Sequence, residues 1–206
     1  MAFKNIIFDI DGTMVDSYKA SYISLKKALE ETTHHTFPDE ILSKHFGITE
    51  TKFFEMIGVP YDKNMNNLIN VYFNRYLKES PLFDGIIDVL DLLSKKKLTL
   101  GVVTSRNKDD YRQFLQYKIT HYFRKIIIAE DTANHKPHPE PLLKIINDLG
   151  LKKEETIYIG DTIYDSECAI SANVKFGLAL WGALDKTVKA DYYFNSPVEI
   201  VSKLEL

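Results

Sequence analysis

Apolar positions along the chain follow two spacings, one typical of buried β-strands and one typical of amphipathic helices. Short continuous apolar runs bounded by glycine or polar residues indicate strands, whereas apolar residues recurring every three or four positions indicate helices. The strand-type runs lie at residues 5–11, 98–103, 125–129, 156–159, 175–180 and 192–194. The helical spacing lies at residues 17–31, 50–57, 64–78, 86–96, 108–117, 139–149, 165–172 and 198–204, and Pro38 is typical of one further helix start.

The order of these segments divides the chain into two regions. Residues 17–82 show only helical spacing. From residue 83 onward strands alternate with helices, which predicts a parallel sheet covered by helices on both faces. We therefore expect an α/β fold, a three-layer doubly wound parallel sheet built from residues 1–15 and 83–206, with an all-α unit at residues 16–82 inserted into it.

Composition and charge narrow the classes of protein and partner. The 206 residues are 45% hydrophobic and carry a net charge of −3, so neither nucleic acid nor an anionic membrane is expected as the partner. No apolar run reaches the length of a membrane span, and the N-terminus shows no signal-peptide pattern. The single cysteine, Cys168, allows no intrachain disulfide and is expected to be a small buried residue. These features predict a cytoplasmic protein.

Two aspartates interrupt the first apolar run just before it ends at Gly12. Burying a lone carboxylate costs free energy unless it is paired, protonated or bound to a cation. Side chains two residues apart on a strand share a face, so Asp9 and Asp11 can point the same way, and a divalent cation or a proton between them would relieve their repulsion. A hairpin turn at the Asp-Gly pair is the alternative interpretation. The hydroxyl of Thr13 and the Asp16-Ser17 pair downstream favour a functional site instead.

Polar residues also follow two other predicted strands. Thr104 and Ser105 come after the second strand and Asp161 after the fourth, and each could serve as a helix cap or turn residue. The carboxyl ends of parallel strands, however, are where ligands bind in such sheets. Lys136 stands directly before Pro137, which holds its backbone extended. Although a loop lysine is usually exposed to solvent, an ammonium group in this cluster would balance its acids and hold an anionic substrate.

Four segments at these positions resemble the motifs of the haloacid dehalogenase-like superfamily. They occur in the family order, and the resemblance covers nearly the whole chain. The segments lie at residues 9–17, 102–105, 136–139 and 159–165. Within the superfamily the chain most resembles phosphoglycolate phosphatase-like members, and residues 16–82 resemble the α-helical cap of that family. The resemblance implies a Rossmann-like catalytic core and phosphoryl-transfer chemistry.

The resemblance also implies a role for each acid. Asp9 would be the nucleophile that forms an aspartyl-phosphate, and Asp11 would donate and then take back a proton as general acid and base. Mg²⁺ would be held by Asp9, by the backbone carbonyl of Asp11 and by Asp161. Asp165 would order the water molecules around the ion. The expected enzyme is a Mg²⁺-dependent phosphatase acting on a small phosphate monoester, phosphoglycolate-like or a sugar phosphate.

Three further residues would bind the phosphate itself. Thr104 and the backbone amide of Ser105 would contact its oxygens at a helix N-terminus, with Lys136 on the opposite side. Thr104 and Lys136 therefore join the two acids in the expected catalytic set. Arg106 follows closely enough to contact a substrate, and pairing with a surface acid is an equally open interpretation.

Other activities on the same fold stay open. A phosphomutase of the β-phosphoglucomutase type would bind a second phosphate through basic residues of the cap, and the cap loop at residues 47–51 contains no arginine. The fourth motif reads Gly160-Asp161 where the mutase-like motif reads Glu-Asp, which also favours a hydrolase. A pyrophosphatase or nucleotidase and a non-catalytic binding module are the remaining alternatives. The expected partner is a small phosphorylated metabolite, and the chain would be a monomer or homodimer.

Overall fold

The chain forms two compact units in the computed structural model, which describes residues 3–47 and 50–206. One unit consists of Met1–Asp16 together with Leu82–Leu206, and the other of Ser17–Pro81. Ile48 and Thr49, which belong to the loop whose lack of arginine favours a hydrolase, lie outside the described residues. Among the described residues, the first unit contains the sheet and the second contains only helical elements.

Six parallel strands form the sheet of the first unit, in the order β3-β2-β1-β4-β5-β6. The strands are β1 (Asn5–Phe8), β2 (Thr99–Val103), β3 (Lys125–Ile127), β4 (Thr156–Gly160), β5 (Lys175–Ala179) and β6 (Tyr192–Phe194). Ile6 in β1 lies beside Leu100 of β2 and Ile157 of β4, so β1 occupies the centre of the sheet. The predicted α/β fold with a parallel sheet is confirmed.

The helices agree with the sequence spacing except at some of their ends. They are α1 (Tyr18–Thr33), α2 (Asp39–Leu42), α3 (Glu50–Ile57), α4 (Lys63–Leu77), α5 (Ile86–Lys95), α6 (Lys108–Phe114), α7 (Glu140–Leu149), α8 (Ile163–Ala172) and α9 (Glu199–Lys203). The start of α8 was expected at Asp165 and lies at Ile163, because Thr162 caps the helix: its hydroxyl accepts a bond from the Asp165 amide, and its own amide donates to the Asp165 carboxylate.

Side chains of β1 alternate between two hydrophobic cores, one on each face of the sheet. Ile6 and Phe8 belong to the core that α5 and α9 cover, whereas Ile7 belongs to the core that α7 and α8 cover. Cys168 is a free thiol buried in the second core, which confirms that it is a small buried residue. Helices on both faces thus give the three-layer arrangement that the alternation of strands and helices predicts.

The second unit has a small core of its own. Helices α1 and α4 pack together, and Leu25 and Leu29 of α1 meet Phe53 and Met65 in the buried cluster. Asp62 begins α4 by accepting hydrogen bonds from the backbone amides of the helix's second and third residues. Within the described part of the chain, helices of the length and apolarity needed to cross a membrane are not found.

Candidate active site

Polar side chains meet where three neighbouring strands of the sheet end. Asp9 directly follows β1, Asp161 follows β4 and Thr104 follows β2. Since β1 lies between β2 and β4, the chain order reverses on its two sides, and this is the switch point at which doubly wound sheets bind ligands. The parallel sheet therefore brings all three residues to one edge.

A cluster of three carboxylates occupies this edge. Asp9, Asp161 and Asp165 each offer an oxygen, and these three oxygens all lie within 4.8 Å of one another. The sequence expectation placed Asp11 among the metal ligands through its backbone carbonyl and Asp165 outside them. The carboxylate of Asp165 joins the cluster because the early start of α8 turns it back toward the strand ends.

Lys136 lies between two of these acids. Its ammonium nitrogen is 2.9 Å from Asp9 Oδ1 and 2.7 Å from Asp165 Oδ1, and its side chain is only 7% exposed. Burial lowers the pKa of Lys136, but Asp165 and Asp9 more than offset this effect and raise the pKa above its ordinary value. Lys136 therefore stays charged beside Asp9.

The three acids of the cluster differ in their electrostatics. Burial raises the pKa of Asp9 to about 7, although Lys136 acts in the opposite direction. Burial, with Asp165 and Asp9 adding their charge, also raises the pKa of Asp161 well above its usual range. For Asp165 the raising effect of burial is outweighed by Lys136, which leaves its pKa below the ordinary value. Of the three acids, only Asp165 therefore has its ionised form stabilised by the surrounding protein on balance.

This charge count fits a divalent cation. Asp9, Asp161 and Asp165 bring three negative charges when ionised, and Lys136 supplies one positive charge, so two negative charges lack a counter-charge. An all-oxygen donor set with this excess suits Mg²⁺. Both oxygens of Asp165 already accept hydrogen bonds, from Lys136 and from Thr162. That Asp165 orders the water molecules around an ion stays a prediction.

The second aspartate of the first motif is paired separately. Nε of Arg106 donates to Asp11 Oδ2 at 2.8 Å, and the terminal Nη2 donates to Asp11 Oδ1 at 2.7 Å. Of the two interpretations left open by the sequence, the structure shows Arg106 paired with an acid, and that acid is Asp11. Arg106 and Asp11 thus form a pair of their own, apart from the contacts that Lys136 makes with Asp9 and Asp165.

Two glycines allow the loops of the site to approach each other. Gly12 has a positive φ of 73°, and a Cβ there would lie 2.0 Å from Oδ2 of Asp161. A Cβ on Gly182 would lie 1.7 Å from the carbonyl oxygen of Gly12. Thr13 donates its hydroxyl hydrogen to Asp161 at 2.9 Å, and Trp181 donates its indole N–H to the Thr13 carbonyl at 2.9 Å. The loop after β1 is thus held against those after β4 and β5.

Tyr158 belongs to the site, although the sequence did not single it out. It is fully buried in β4, its hydroxyl donates to Asp165 Oδ1 at 2.8 Å, and it accepts a bond from the Lys136 ammonium at 3.2 Å. Tyrosine is common in strands, so its presence in β4 does not by itself indicate a functional residue. The available signal is a hydroxyl in an otherwise apolar strand that leads to a candidate acid, since buried hydroxyls need partners.

The expected phosphate-binding residues lie in the loop between β2 and α6. Thr104 is buried and its hydroxyl oxygen accepts a bond from the Arg106 amide at 3.1 Å, whereas Ser105 is exposed. The helix begins only at Lys108, and Asn107 already caps two of its amides. Thr104 and Ser105 therefore precede the helix cap and do not form the first turn, and their binding of phosphate stays a prediction.

Comparison with known proteins agrees with this arrangement. A family sequence model described as haloacid dehalogenase-like hydrolase matches residues 6–179. The phosphoglycolate phosphatase of Aquifex aeolicus (strain VF5) is 28% identical over 207 residues, which covers 97% of this chain and 96% of that protein. The pyrophosphatase PpaX of Oceanobacillus iheyensis is 27% identical over 216 residues, which covers 98% and 97%. A solved haloacid dehalogenase-like family hydrolase of Streptococcus pneumoniae has the same fold, with a TM-score of 0.83, 22% identity and 98% of each chain covered.

We expect the metal-free protein to lose stability as the pH rises toward 7. Because the pKa of Asp9 is raised from 3.8 to about 7 in the folded chain, the folded state binds a proton that the unfolded state releases between those values. The free energy of unfolding should then fall with pH by up to about 1.4 kcal/mol per pH unit for this one proton. Urea unfolding in EDTA between pH 4 and 7, roughly the interval between these two pKa values, measures the slope.

Asp9→Asn should make this slope smaller, whereas Asp109→Asn, at an exposed position on α6, should leave it as in the wild type. An unchanged slope in Asp9→Asn would contradict the raised pKa.

A second prediction concerns the close approach at Gly12. Gly12→Ala should be more destabilising than Gly150→Ala, because both positions have a positive φ but an added Cβ at Gly150 has no heavy atom within 4 Å. Gly150→Ala should cost about 1 kcal/mol from backbone strain alone, and Gly12→Ala should cost more and displace the Asp161 side chain. Urea unfolding measures the loss of stability, and a crystal structure of Gly12→Ala shows the position of the Asp161 side chain. Equal losses of stability in the two variants would show that the close approach to Asp161 does not contribute.

Proposed function

The chain belongs to the haloacid dehalogenase-like hydrolase family, and from this premise we propose that it is a Mg²⁺-dependent phosphatase of a small phosphate monoester. The observation that carries the proposal is the uncompensated negative charge of the cluster formed by Asp9, Asp161 and Asp165. A divalent cation would complete this charge balance, and the phosphate would then meet a nucleophile whose own charge is neutralised.

Asp9 would form the covalent intermediate. Its carboxylate oxygen attacks phosphorus while the bond from phosphorus to the ester oxygen breaks, which gives an aspartyl-phosphate. Asp11 gives a proton to the departing oxygen so that an alcohol leaves, and then removes a proton from water. The resulting hydroxide attacks phosphorus, the bond to Asp9 breaks, and inorganic phosphate is released. Both acids end the cycle in their starting states.

The residues around Asp9 suit the demands of phosphoryl transfer, which asks mainly for positioning and charge stabilisation. Lys136 holds Asp9 Oδ1 from one side and carries a positive charge that phosphoryl oxygens would also contact. Thr104 and Ser105 follow the neighbouring strand and would offer a hydroxyl and an amide to the same oxygens. Tyr158 and Asp165 fix Lys136 through their hydrogen bonds.

Asp9, the backbone carbonyl of Asp11 and Asp161 would hold the ion, with Asp165 ordering its water molecules. When bound, Mg²⁺ supplies positive charge that stabilises the attacking carboxylate and the phosphoryl oxygens together. Thr13 donates to Asp161 Oδ1, which leaves the other oxygen of that carboxylate for the ion. The protein thus orients Asp161 before any ion binds.

The substrate we propose is a small phosphorylated metabolite in the cytoplasm, phosphoglycolate-like or a sugar phosphate. Support comes from the Aquifex aeolicus relative, which is named for phosphoglycolate, and from the positive charge of Lys136 beside the proposed nucleophile, which would favour an anionic substrate. The Oceanobacillus iheyensis relative is named a pyrophosphatase, so pyrophosphate is the second candidate substrate. In this proposal residues 16–82 are the cap of the enzyme and select among these compounds.

We expect Asp9→Asn to lower the hydrolysis of 4-nitrophenyl phosphate by more than about 1000-fold, because the amide cannot act as the nucleophile. The free energy of unfolding should show that the variant remains folded, and Asp109→Asn serves as the matched control at an exposed aspartate. EDTA should remove the wild-type activity and Mg²⁺ should restore it. Substantial turnover by Asp9→Asn, or turnover in EDTA, would contradict the site as proposed. Phosphate release from phosphoglycolate, sugar phosphates and pyrophosphate then ranks the substrates.

A further inference from the structure

Arg106 is a buried arginine that has no role in the reaction as proposed above. Its side chain is only 2% exposed, and each end of its guanidinium is engaged. Nε and Nη2 bind the two oxygens of Asp11 at 2.8 and 2.7 Å, and Nη1 donates to the backbone carbonyl of Asp110 at 3.4 Å. A buried charge of this kind is costly unless it is well paired, so its place beside Asp11 requires a reason.

The surroundings of Arg106 fix its guanidinium. The backbone amide of Arg106 donates to the Thr104 hydroxyl at 3.1 Å, and its carbonyl accepts from the Ala129 amide at 2.9 Å. The guanidinium carbon lies 5.9 Å from the centre of the buried Phe114 ring, within the range of a cation–π contact. These contacts come from the loop after β2, from α6 and from the segment after β3, so Arg106 is held by parts of the chain other than the loop that carries Asp11.

Asp11 comes from a different part of the chain and is more exposed than Arg106. It lies in the loop after β1, its side chain is 32% exposed, and it is 95 residues from Arg106 in the sequence. The planar fork of arginine matches both carboxylate oxygens at once, which a lysine ammonium cannot do. The contact therefore fixes the orientation of the Asp11 carboxylate.

We propose that Arg106 is a positioning residue that holds the Asp11 carboxylate in one orientation for the two proton transfers. The inference rests on the proposed function, because Arg106 has this role only if Asp11 exchanges protons with the leaving group and with water. Arg106 would thus act on the reaction through the Asp11 carboxylate that it binds. Loss of such orientation costs up to about 100-fold in rate when a reacting group is misplaced by about 1 Å.

The test compares two substrates of similar shape whose leaving groups differ in their need for a proton. Arg106→Met should lower kcat/KM for phenyl phosphate by about 10- to 100-fold. It should change kcat/KM for 4-nitrophenyl phosphate by only about 2-fold, because nitrophenolate leaves with little help from an acid. Arg106→Lys keeps a buried charge but can bind only one oxygen, so it should show a smaller loss of the same kind. Arg112→Met, which removes an exposed arginine of α6, should match the wild type.

A double-mutant cycle distinguishes a loss of the Asp11 orientation from a general loss of structure. In an Asp11→Asn background, Arg106→Met should cause no further loss with phenyl phosphate, since the group that it positions is gone. The proposal is overturned if Arg106→Met slows both substrates equally, if it slows neither, or if the loss persists in Asp11→Asn. If the wild-type protein with Mg²⁺ hydrolyses neither ester, the proposed function is contradicted instead, and the role of Arg106 falls with it.

Discussion

Three acids around one ammonium group form the constraint on which the rest of this site depends. Asp9, Asp161 and Asp165 lie at the ends of buried elements, and Lys136 balances only part of their charge. Bringing so many charges out of water is unfavourable without partners. Tyr158 and the cap of α8 provide hydrogen bonds to Asp165, and the remaining excess is the charge that a divalent cation and a phosphoryl group would complete. Charge balance thus connects the fold to the proposed chemistry.

The sheet makes this concentration of charge possible. Because β1, β2 and β4 are parallel neighbours, residues far apart in sequence emerge at a single edge. Gly12 and Gly182 let the loops approach at distances that no side chain would permit, and Thr13 ties Asp161 to the loop after β1. The second aspartate of that loop, Asp11, pairs with Arg106. Two acids that are close in sequence therefore have different cationic partners, Lys136 for Asp9 and Arg106 for Asp11.

Much of this could be predicted from the sequence, because strand and helix spacing are local and parallel strands share an edge for their carboxyl ends. The parallel sheet was predicted, and Asp9, Thr104 and Asp161 do follow its strands. The pairing of Arg106 with Asp11 could not be predicted, since it depends on the register of two strands across 95 residues. The inclusion of Asp165 in the cluster depends on a capping bond that moves the start of α8 by two residues, which spacing does not resolve.

In the proposed mechanism the two aspartates have different roles: Asp9 would attack phosphorus, and Asp11 would transfer protons. The most direct test is a crystal structure of the protein with Mg²⁺ and beryllium fluoride, a mimic of an acyl phosphate. We expect the fluoride group to be joined to one oxygen of Asp9, with the ion bound by Asp9 and Asp161 and Lys136 in contact with the fluorides. A fluoride group joined to Asp11 or to no carboxylate, or an ion bound away from the carboxylate cluster, would contradict the assignment.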